Sequence, residues 1–151
     1  MSDVSLRPAT AADLPAIEAI VGAAYEKYTP RIGKPAGPML DDYAALVEQA
    51  AVTLAVLAGE AVGLLVLLDA ADHLLLDNIA VRPDRQGHGI GRRLIAEAEI
   101  EARRRGFRDL RLYTHATMVE NLELYRRVGF SETHRVTEKG YARIYMLKKI
   151  A

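Results

Sequence analysis

Residues 74–91, LLLDNIAVRPDRQGHGIG, restrict what this chain can fold into more than any other segment. They predict an apolar strand that ends at Val81, a short loop, and a helix that continues to a stop at Gly106. Three alternating glycines lie between the strand and the helix: Gly87, Gly89 and Gly91. Such a loop brings backbone N–H groups together, and the helix N-terminus adds partial positive charge. The segment therefore predicts a phosphate-binding site within an α/β fold.

The composition limits the classes of protein to consider. The 151 residues are 50% apolar and 26% charged, and 20 basic side chains balance 20 acidic ones. No overall charge favours nucleic acid or an anionic membrane as a partner. The absence of cysteine excludes disulfides, thiolate metal ligands and a cysteine nucleophile. We expect a single domain over residues 1–151.

Targeting and metal-binding patterns are also missing from the sequence. Residues 1–10, MSDVSLRPAT, contain neither the basic nor the apolar stretch of a secretory signal. The apolar runs are shorter than the ~20 residues that a membrane span needs. We therefore expect a cytoplasmic monomer or homodimer. No metal is expected, because the histidines lack the paired spacing of a zinc site: His73, His88, His115 and His134.

Hydrophobic periodicity and turn residues predict a mixed α/β fold in the order β-α-α-β-β-β-α-β-α-β-β. Strands are expected at 4–7, 52–57, 61–68, 74–81, 110–114 and 142–148, the last one closing a terminal β section that starts near 129. Helices are expected at 10–27, at 40–49, from the glycine loop to 106, and at 118–128. Residues 28–39 contain three prolines and two glycines, and are predicted to form a loop.

The glycine spacing does not fit two common phosphate-binding motifs. A dinucleotide-binding G-x-G-x-x-G loop needs a third glycine where Arg92 stands, and an acidic residue where the next strand ends in Thr114 and His115. A nucleoside triphosphate loop needs G-x-x-x-x-G-K-[ST], and the chain contains no Gly-Lys-Ser or Gly-Lys-Thr. An unrelated nucleotide-binding domain is therefore the weakest interpretation.

Residues 86–91, QGHGIG, form the pattern Q-x-x-G-x-G five residues after the predicted strand and just after V-x-P at 81–83. Further along the chain, Asn121 and Tyr125 precede Gly129 and Phe130. In these motifs, and over most of its length, the chain resembles the GNAT superfamily of acyl-CoA-dependent N-acyltransferases. The resemblance implies a mixed central sheet with splayed strands that form the cleft for acetyl-CoA.

The resemblance also implies which residues bind the coenzyme. The main chain of three strand residues would hold the pantetheine arm: Ile79, Ala80 and Val81. The N–H groups of the glycine loop would bind the pyrophosphate, and the residues concerned are Gln86, Gly87, His88, Gly89, Ile90 and Gly91. Arg92 and Arg85 would add charge-assisted hydrogen bonds, and Asn121 would contact the arm.

In the same resemblance, Tyr125 is the general acid that protonates the departing thiolate. It lies one helical turn after Asn121, on the same face. The general base is left open, because either a carboxylate or an imidazole can take the proton of the attacking amine. Asp77 on the coenzyme strand is the first candidate, His115 at the end of the next strand is the second, and Glu120 is a third.

The acceptor is open as well. Four residues in or beside the irregular loop predict a pocket for an anionic or aromatic amine: Tyr25, Tyr28, Arg31 and Lys34. The amine could belong to a small molecule or to a peptide. Without a cysteine, direct attack in a ternary complex is expected rather than a cysteine-linked acyl-enzyme. A non-catalytic module that binds or senses acyl-CoA is the alternative.

Overall fold

The computed structural model describes residues 3–150, so Met1, Ser2 and Ala151, the ends of the expected domain, lie outside the described residues. Seven strands form one sheet in the order β1-β2-β3-β4-β5-β7-β6. All neighbours are antiparallel except β4 and β5, which are parallel. The strands are β1 (Ser5–Pro8), β2 (Val52–Leu57), β3 (Glu60–Asp69), β4 (Leu74–Val81), β5 (Asp109–His115), β6 (Ser131–Glu138) and β7 (Tyr141–Lys149). The predicted mixed sheet is confirmed.

The helices are α1 (Leu14–Tyr25), α2 (Thr29–Ile32), α3 (Tyr43–Glu48), α4 (Ile90–Arg104) and α5 (Val119–Arg127). Helix α3 begins later than the predicted start at residue 40, because Asp42 is its N-cap and accepts a hydrogen bond from the Ala45 N–H at 3.1 Å. Helix α4 ends just before Gly106, as predicted. Within residues 3–150, no helix has the length and apolar character needed to cross a membrane.

Residues 28–39 are more ordered than the predicted loop. They contain the helical turn α2, and a 3-10 turn follows at Gly37–Leu40. Pro30 is compatible with α2 because a proline in the first helical turn lacks only an N–H that has no partner in the helix. Gly33, with a φ of 89°, ends the turn. The structure therefore adds one short helix to the predicted order of elements.

Helices cover both faces of the sheet around β4. Helices α4 and α5 pack on one face, where Leu65 and Leu94 are fully buried. Helices α1 and α3 pack on the other face, where Ile17 and Leu64 are fully buried. Because β4 is covered on both sides, its side chains are apolar at most positions. Its ends and edges are thus the parts available for a ligand.

A β-bulge interrupts the pairing of β4 with β3. Leu76 pairs with Leu67 and Asn78 pairs with Val66, which leaves Asp77 between them without a partner on β3. A bulge of this kind bends the strand and increases its twist.

The pairing of β4 with β5 is short. Only Leu74 and Leu75 pair with β5, although β4 continues to Val81 and β5 continues to His115. Beyond Leu75 the two strands separate, so the β5-side edge of β4 has no partner strand in the described part of the chain. The splayed strands expected from the sequence are confirmed, and they leave an opening in the sheet.

Candidate functional site

The opening between β4 and β5 leads into a cleft of about 380 Å³. The cleft is lined by β4 and the glycine loop on one side and by α1 and α5 on the other. Tyr125 in its lining belongs to the core under α4 and α5, whereas Tyr25 belongs to the core under α1. The cleft therefore runs through the sheet at the point where the strands separate.

The glycine loop has the backbone that the sequence predicts. Gly87 and Gly89 each have a φ of 82°, in the left-handed region that other residues rarely adopt. Gly89 directly precedes α4, so the loop turns into the helix N-terminus at this residue. Gly87, Gly89 and Gly91 all line the cleft. This arrangement gives an anion the N–H groups and the helix dipole that bind phosphate.

The Gln86 side chain closes the loop between β4 and the glycines. Its Nε2 donates a hydrogen bond to the Val81 carbonyl at 3.1 Å, and both residues line the cleft. The leading glutamine of the Q-x-x-G-x-G pattern thus shapes the loop through its side chain. His88, by contrast, is exposed and is not among the lining residues.

Four positive side chains line the cleft: Lys27, Arg85, Arg92 and Arg127. The Arg85 Nε is buried without a hydrogen-bond partner among the described residues. A buried donor without a partner requires a ligand or water to satisfy it. The donor set fits a polyanion such as the pyrophosphate of coenzyme A.

Helix α5 presents Asn121, Leu124 and Tyr125 to the cleft. Tyr125 is 6% exposed, and its ring packs edge-on against Phe130 with 5.8 Å between the ring centroids. Burial raises the pKa of the Tyr125 phenol, so its hydroxyl is protonated at neutral pH. Tyr125 therefore presents a protonated hydroxyl in the lining of the cleft.

Asp77 lies at the bulge of β4, outside the set of residues that line the cleft. It is half-buried, and this burial raises the pKa of its carboxyl, while the positive charge of Arg143 opposes the shift. Burial first, and then the Asp77 charge, raises the pKa of Asp41 to about 6. Asp77 therefore lies close to Asp41, just before α3.

His115 at the end of β5 has one ring nitrogen occupied. Its Nδ1 lies 2.9 Å from the Thr117 hydroxyl and accepts a hydrogen bond from the Thr117 N–H at 3.1 Å, so the neutral ring carries its proton on Nε2. Burial, together with Lys34 and Arg143, lowers the pKa of His115. Across residues 3–150, no three or more His, Cys, Asp or Glu side chains group as metal ligands would.

The four residues expected at an acceptor pocket divide into two pairs. Tyr25 and Tyr28 are buried and line the cleft. Arg31 makes two hydrogen bonds with the Glu120 carboxylate, at 2.8 and 3.0 Å, and these lower the pKa of Glu120 to about 2. The Lys34 ammonium lies 4.1 Å from the centre of the Tyr141 ring. Arg31 and Lys34 thus hold neighbouring segments together and are not among the lining residues.

Four lining residues were not among the predicted site residues: Ala24, Lys27, Leu124 and Arg127. The signal for Arg127 was present, because Asn121, Leu124 and Arg127 recur every third residue and share a helical face. Asn78 had no such signal. It is 3% exposed and polar, and its partners come from segments distant along the chain.

Comparison with known proteins agrees with this architecture. The model of the Acetyltransferase (GNAT) family matches residues 16–130. The mycothiol acetyltransferase of Cellulomonas flavigena is 44% identical over 55 residues, which are 36% of this chain. The match spans only 16% of the length of that protein.

Solved structures share the fold over almost the whole chain. The ribosomal-protein-S18-alanine N-acetyltransferase of Escherichia coli superposes with a TM-score of 0.75 at 23% identity, covering 98% of this chain and 94% of that one. The PaiA N-acetyltransferase of Thermoplasma acidophilum, solved in complex with coenzyme A, gives 0.76 at 17% identity, covering 97% and 99%. The sheet with its splayed strands, the glycine loop and the family match agree, and the chain belongs to the GNAT family of acetyltransferases.

Proposed function

We propose that this chain transfers the acetyl group of acetyl-CoA to a primary amine by direct attack in a ternary complex. One observation carries the proposal: the opening in the sheet joins a phosphate-binding glycine loop and the buried Tyr125 in a single cleft. Family membership supports it, as does a structural neighbour whose structure contains coenzyme A.

The coenzyme would lie along the free edge of β4 and the loop that follows. The main-chain N–H groups of Ile79 and Val81 offer hydrogen bonds to the amide-rich pantetheine arm, as they would to an added strand. The carbonyls of the same two residues already accept hydrogen bonds from Tyr25 and Gln86. The loop N–H groups and the α4 N-terminus take the pyrophosphate. Arg85 and Arg92 add charge-assisted hydrogen bonds to it. Asn121 lines the cleft where the arm would pass.

In the reaction, the amine nitrogen forms a bond with the thioester carbonyl carbon, and the carbon–sulfur bond breaks. Tyr125 gives its proton to the departing thiolate and recovers one from solvent. The proton of the amine passes to Asp77, directly or through water. Asp77 is favoured over His115, because a raised pKa makes the carboxylate a stronger base and the unprotonated nitrogen of His115 is already an acceptor.

The acceptor class stays broad. One relative is named for mycothiol, a small molecule, and one structural neighbour for an alanine of a ribosomal protein. The shared chemistry is a primary amine, and we propose that it approaches from the side of α2 and α3, opposite the glycine loop.

Calorimetry with acetyl-CoA, CoA and ATP, followed by a panel of amines scored for thiol release, tests the proposal. Because the chain has no cysteine, a thiol reagent detects only the released CoA. We expect binding of both coenzymes but not ATP, and thiol release with at least one of three amine classes: small amines, lysine side chains or peptide N-termini. Binding without thiol release for any class would favour the non-catalytic module, and absence of coenzyme binding would refute both.

A further inference from the structure

Behind the free edge of β4 lies a buried chain of hydrogen bonds that the proposed reaction does not use. The Tyr25 hydroxyl is shared between the Ile79 carbonyl, at 2.9 Å, and the Oδ1 of Asn78. The Asn78 Nδ2 donates to the Tyr43 hydroxyl at 3.0 Å. The Tyr43 hydroxyl in turn donates to the Pro38 carbonyl at 2.5 Å. The chain thus connects the coenzyme-binding strand with the turn that precedes α3.

Burial makes this arrangement specific. Asn78 is 3% exposed, and Tyr25 and Tyr43 are each 5% exposed. With its oxygen toward Tyr25 and its nitrogen toward Tyr43, the Asn78 amide donates to the Tyr43 hydroxyl and leaves the proton of that hydroxyl for the Pro38 carbonyl. Removal of either hydroxyl would leave a buried polar group of Asn78 without its partner, which folded proteins rarely tolerate.

The hydrogen bond from Tyr25 shows which way the main chain of Ile79 points. In a strand, the N–H and C=O of one residue point toward the same neighbour. The Ile79 carbonyl points to Tyr25 on α1 and away from β3, so the Ile79 N–H points the same way. Ile79 lines the cleft, and its N–H is therefore placed to meet the acyl end of the coenzyme arm.

We infer that Tyr25, Asn78 and Tyr43 form a positioning unit, which aligns the Ile79 main chain with the acetyl group of acetyl-CoA. The unit also ties this alignment to the turn Gly37–Leu40 on the acceptor side. The inference rests on the proposed function. All three residues act through the Ile79 main chain, and none exchanges a proton with the substrates.

The segment just before this turn, at Pro35, has a tether of its own that provides a matched control. The Tyr141 hydroxyl donates to the Pro35 carbonyl at 2.7 Å and so connects the segment to the β6–β7 hairpin. Tyr43→Phe and Tyr141→Phe each remove one hydrogen bond from a tyrosine hydroxyl to a proline carbonyl. Only Tyr43→Phe also breaks the connection to β4.

The first readout needs no acceptor. In protein carrying 15N-isoleucine, acetyl-CoA should shift the Ile79 amide resonance more than CoA does, since the two ligands differ only at the acyl end. Tyr43→Phe should reduce this difference by about half or more, because Asn78 and Tyr25 lose their fixed orientation. Tyr141→Phe should preserve it. Melting temperatures show whether each variant folds. If Tyr25→Phe does not fold, Tyr43→Phe alone is enough to test the inference.

The second readout separates kcat from binding. With an amine found in the panel, Tyr25→Phe should lower kcat about tenfold and Tyr43→Phe about threefold, as expected for loss of a buried hydrogen bond. The Kd for CoA should stay within about twofold, because loop and arm contacts are unchanged. The double variant should resemble Tyr25→Phe alone, since both changes break one unit.

The outcomes separate the two proposals. If wild-type protein binds neither coenzyme, the proposed function fails, and the inference fails with it. If wild-type protein binds both, and Tyr43→Phe keeps the wild-type Ile79 shift difference and kcat, the positioning unit is refuted while the proposed function stands.

Discussion

On the coenzyme side of the opening, main-chain atoms form much of the surface: the free edge of β4, the glycine loop and the N-terminus of α4. On the acceptor side, the segments are held by side chains that reach across long stretches of sequence, as in the pairs Arg31–Glu120 and Tyr141–Pro35. A site made of main chain depends on backbone conformation and allows many side chains around it. A site made of side-chain contacts changes with each substitution. The difference explains how proteins with this fold can bind one coenzyme through their main chain and still differ in the acceptor that their side chains select.

The largest effect is expected from Tyr125→Phe, which tests whether the coenzyme side also contains the chemistry. We expect acetyl transfer to fall about 1,000-fold, the middle of the range for loss of a general acid. The coenzyme Kd should change less than about twofold, because the phosphate contacts remain. Thiol-release kinetics and calorimetry measure the two quantities.

Tyr145→Phe on the β7 strand is the control for Tyr125→Phe. Its hydroxyl bonds to Glu138, away from the cleft lining, and we expect no change in the transfer rate. An unchanged rate in Tyr125→Phe would remove the general acid from the mechanism.

Asp77→Asn has the next largest expected effect and tests whether Asp77 at the bulge is the general base. We expect the rate to fall about 100-fold, because solvent replaces the carboxylate only in part. In the wild-type protein, the rate should decline as the pH falls through the raised pKa of Asp77, when the base becomes protonated. The variant should lose this acid limb of the pH–rate profile.

Although Asp77→Asn should lower the transfer rate, it should raise the stability of the fold at neutral pH. A carboxyl whose folded-state pKa is raised is destabilising when ionised, and stability falls as the pH rises through that pKa. The uncharged amide should therefore raise the melting temperature at neutral pH and leave it nearly unchanged at acid pH. A lower melting temperature together with a normal rate would contradict both the burial argument and the role as base.

Gly89→Ala tests whether the backbone conformation of the glycine loop determines the affinity for the coenzyme. An alanine at a φ of 82° is strained by roughly 1–2 kcal/mol, so the loop should move and coenzyme affinity should fall about tenfold. The matched control is Gly22→Ala within α1, where a Cβ meets no heavy atom within 4 Å. That change should stabilise the fold by up to about 1 kcal/mol and leave affinity alone. Equal effects of the two substitutions on Kd would refute the role of the loop backbone.

Arg31→Ala is expected to have the smallest effect. The Arg31–Glu120 pair is exposed to solvent, so screening keeps its contribution to stability small. Because the pair lowers the pKa of Glu120 to about 2, its contribution is present above the ordinary value of 4.5 and is lost as the pH falls toward 2. The melting-temperature difference from wild type should shrink accordingly.

In kinetic assays, Arg31→Ala should raise the acceptor KM severalfold and leave the coenzyme Kd unchanged. Glu120→Gln removes the same ion pair from the other side and should reproduce the change. An altered coenzyme Kd in both variants would break the division between the two sides.

The glycine loop and the helix that follows it could be predicted from the sequence because their determinants are local. Positive-φ glycines, a strand that runs into a helix, and the spacing of Asn121 and Tyr125 are all contained in short segments. The bulge at Asp77 could not be read in the same way, because a bulge is defined only against the partner strand. The buried pairing of Asn78 with Tyr43 joins residues 35 apart, and no local pattern links them.

Tyr25 and α2 show what the sequence could not reveal about residues that it singled out. Tyr25 was expected beside an acceptor and does line the cleft, but its hydroxyl is occupied by β4. The prolines of residues 28–39 predicted a loop, although a proline in the first turn is compatible with a helix. In both cases the residue type was informative, and its surroundings in the fold decided its role.

The single extra residue at the bulge also determines which face of the sheet each following side chain of β4 occupies. Side chains alternate along a strand, so one inserted residue reverses which face each following side chain meets. With Asp77 present, Ile79 joins the α4 core and Ala80 the α1 core. A chain shortened by this one residue would exchange those faces unless the whole strand shifted. The bulge thus decides which core receives the side chains of Ile79 and Ala80, two of the strand residues that follow it in the cleft lining.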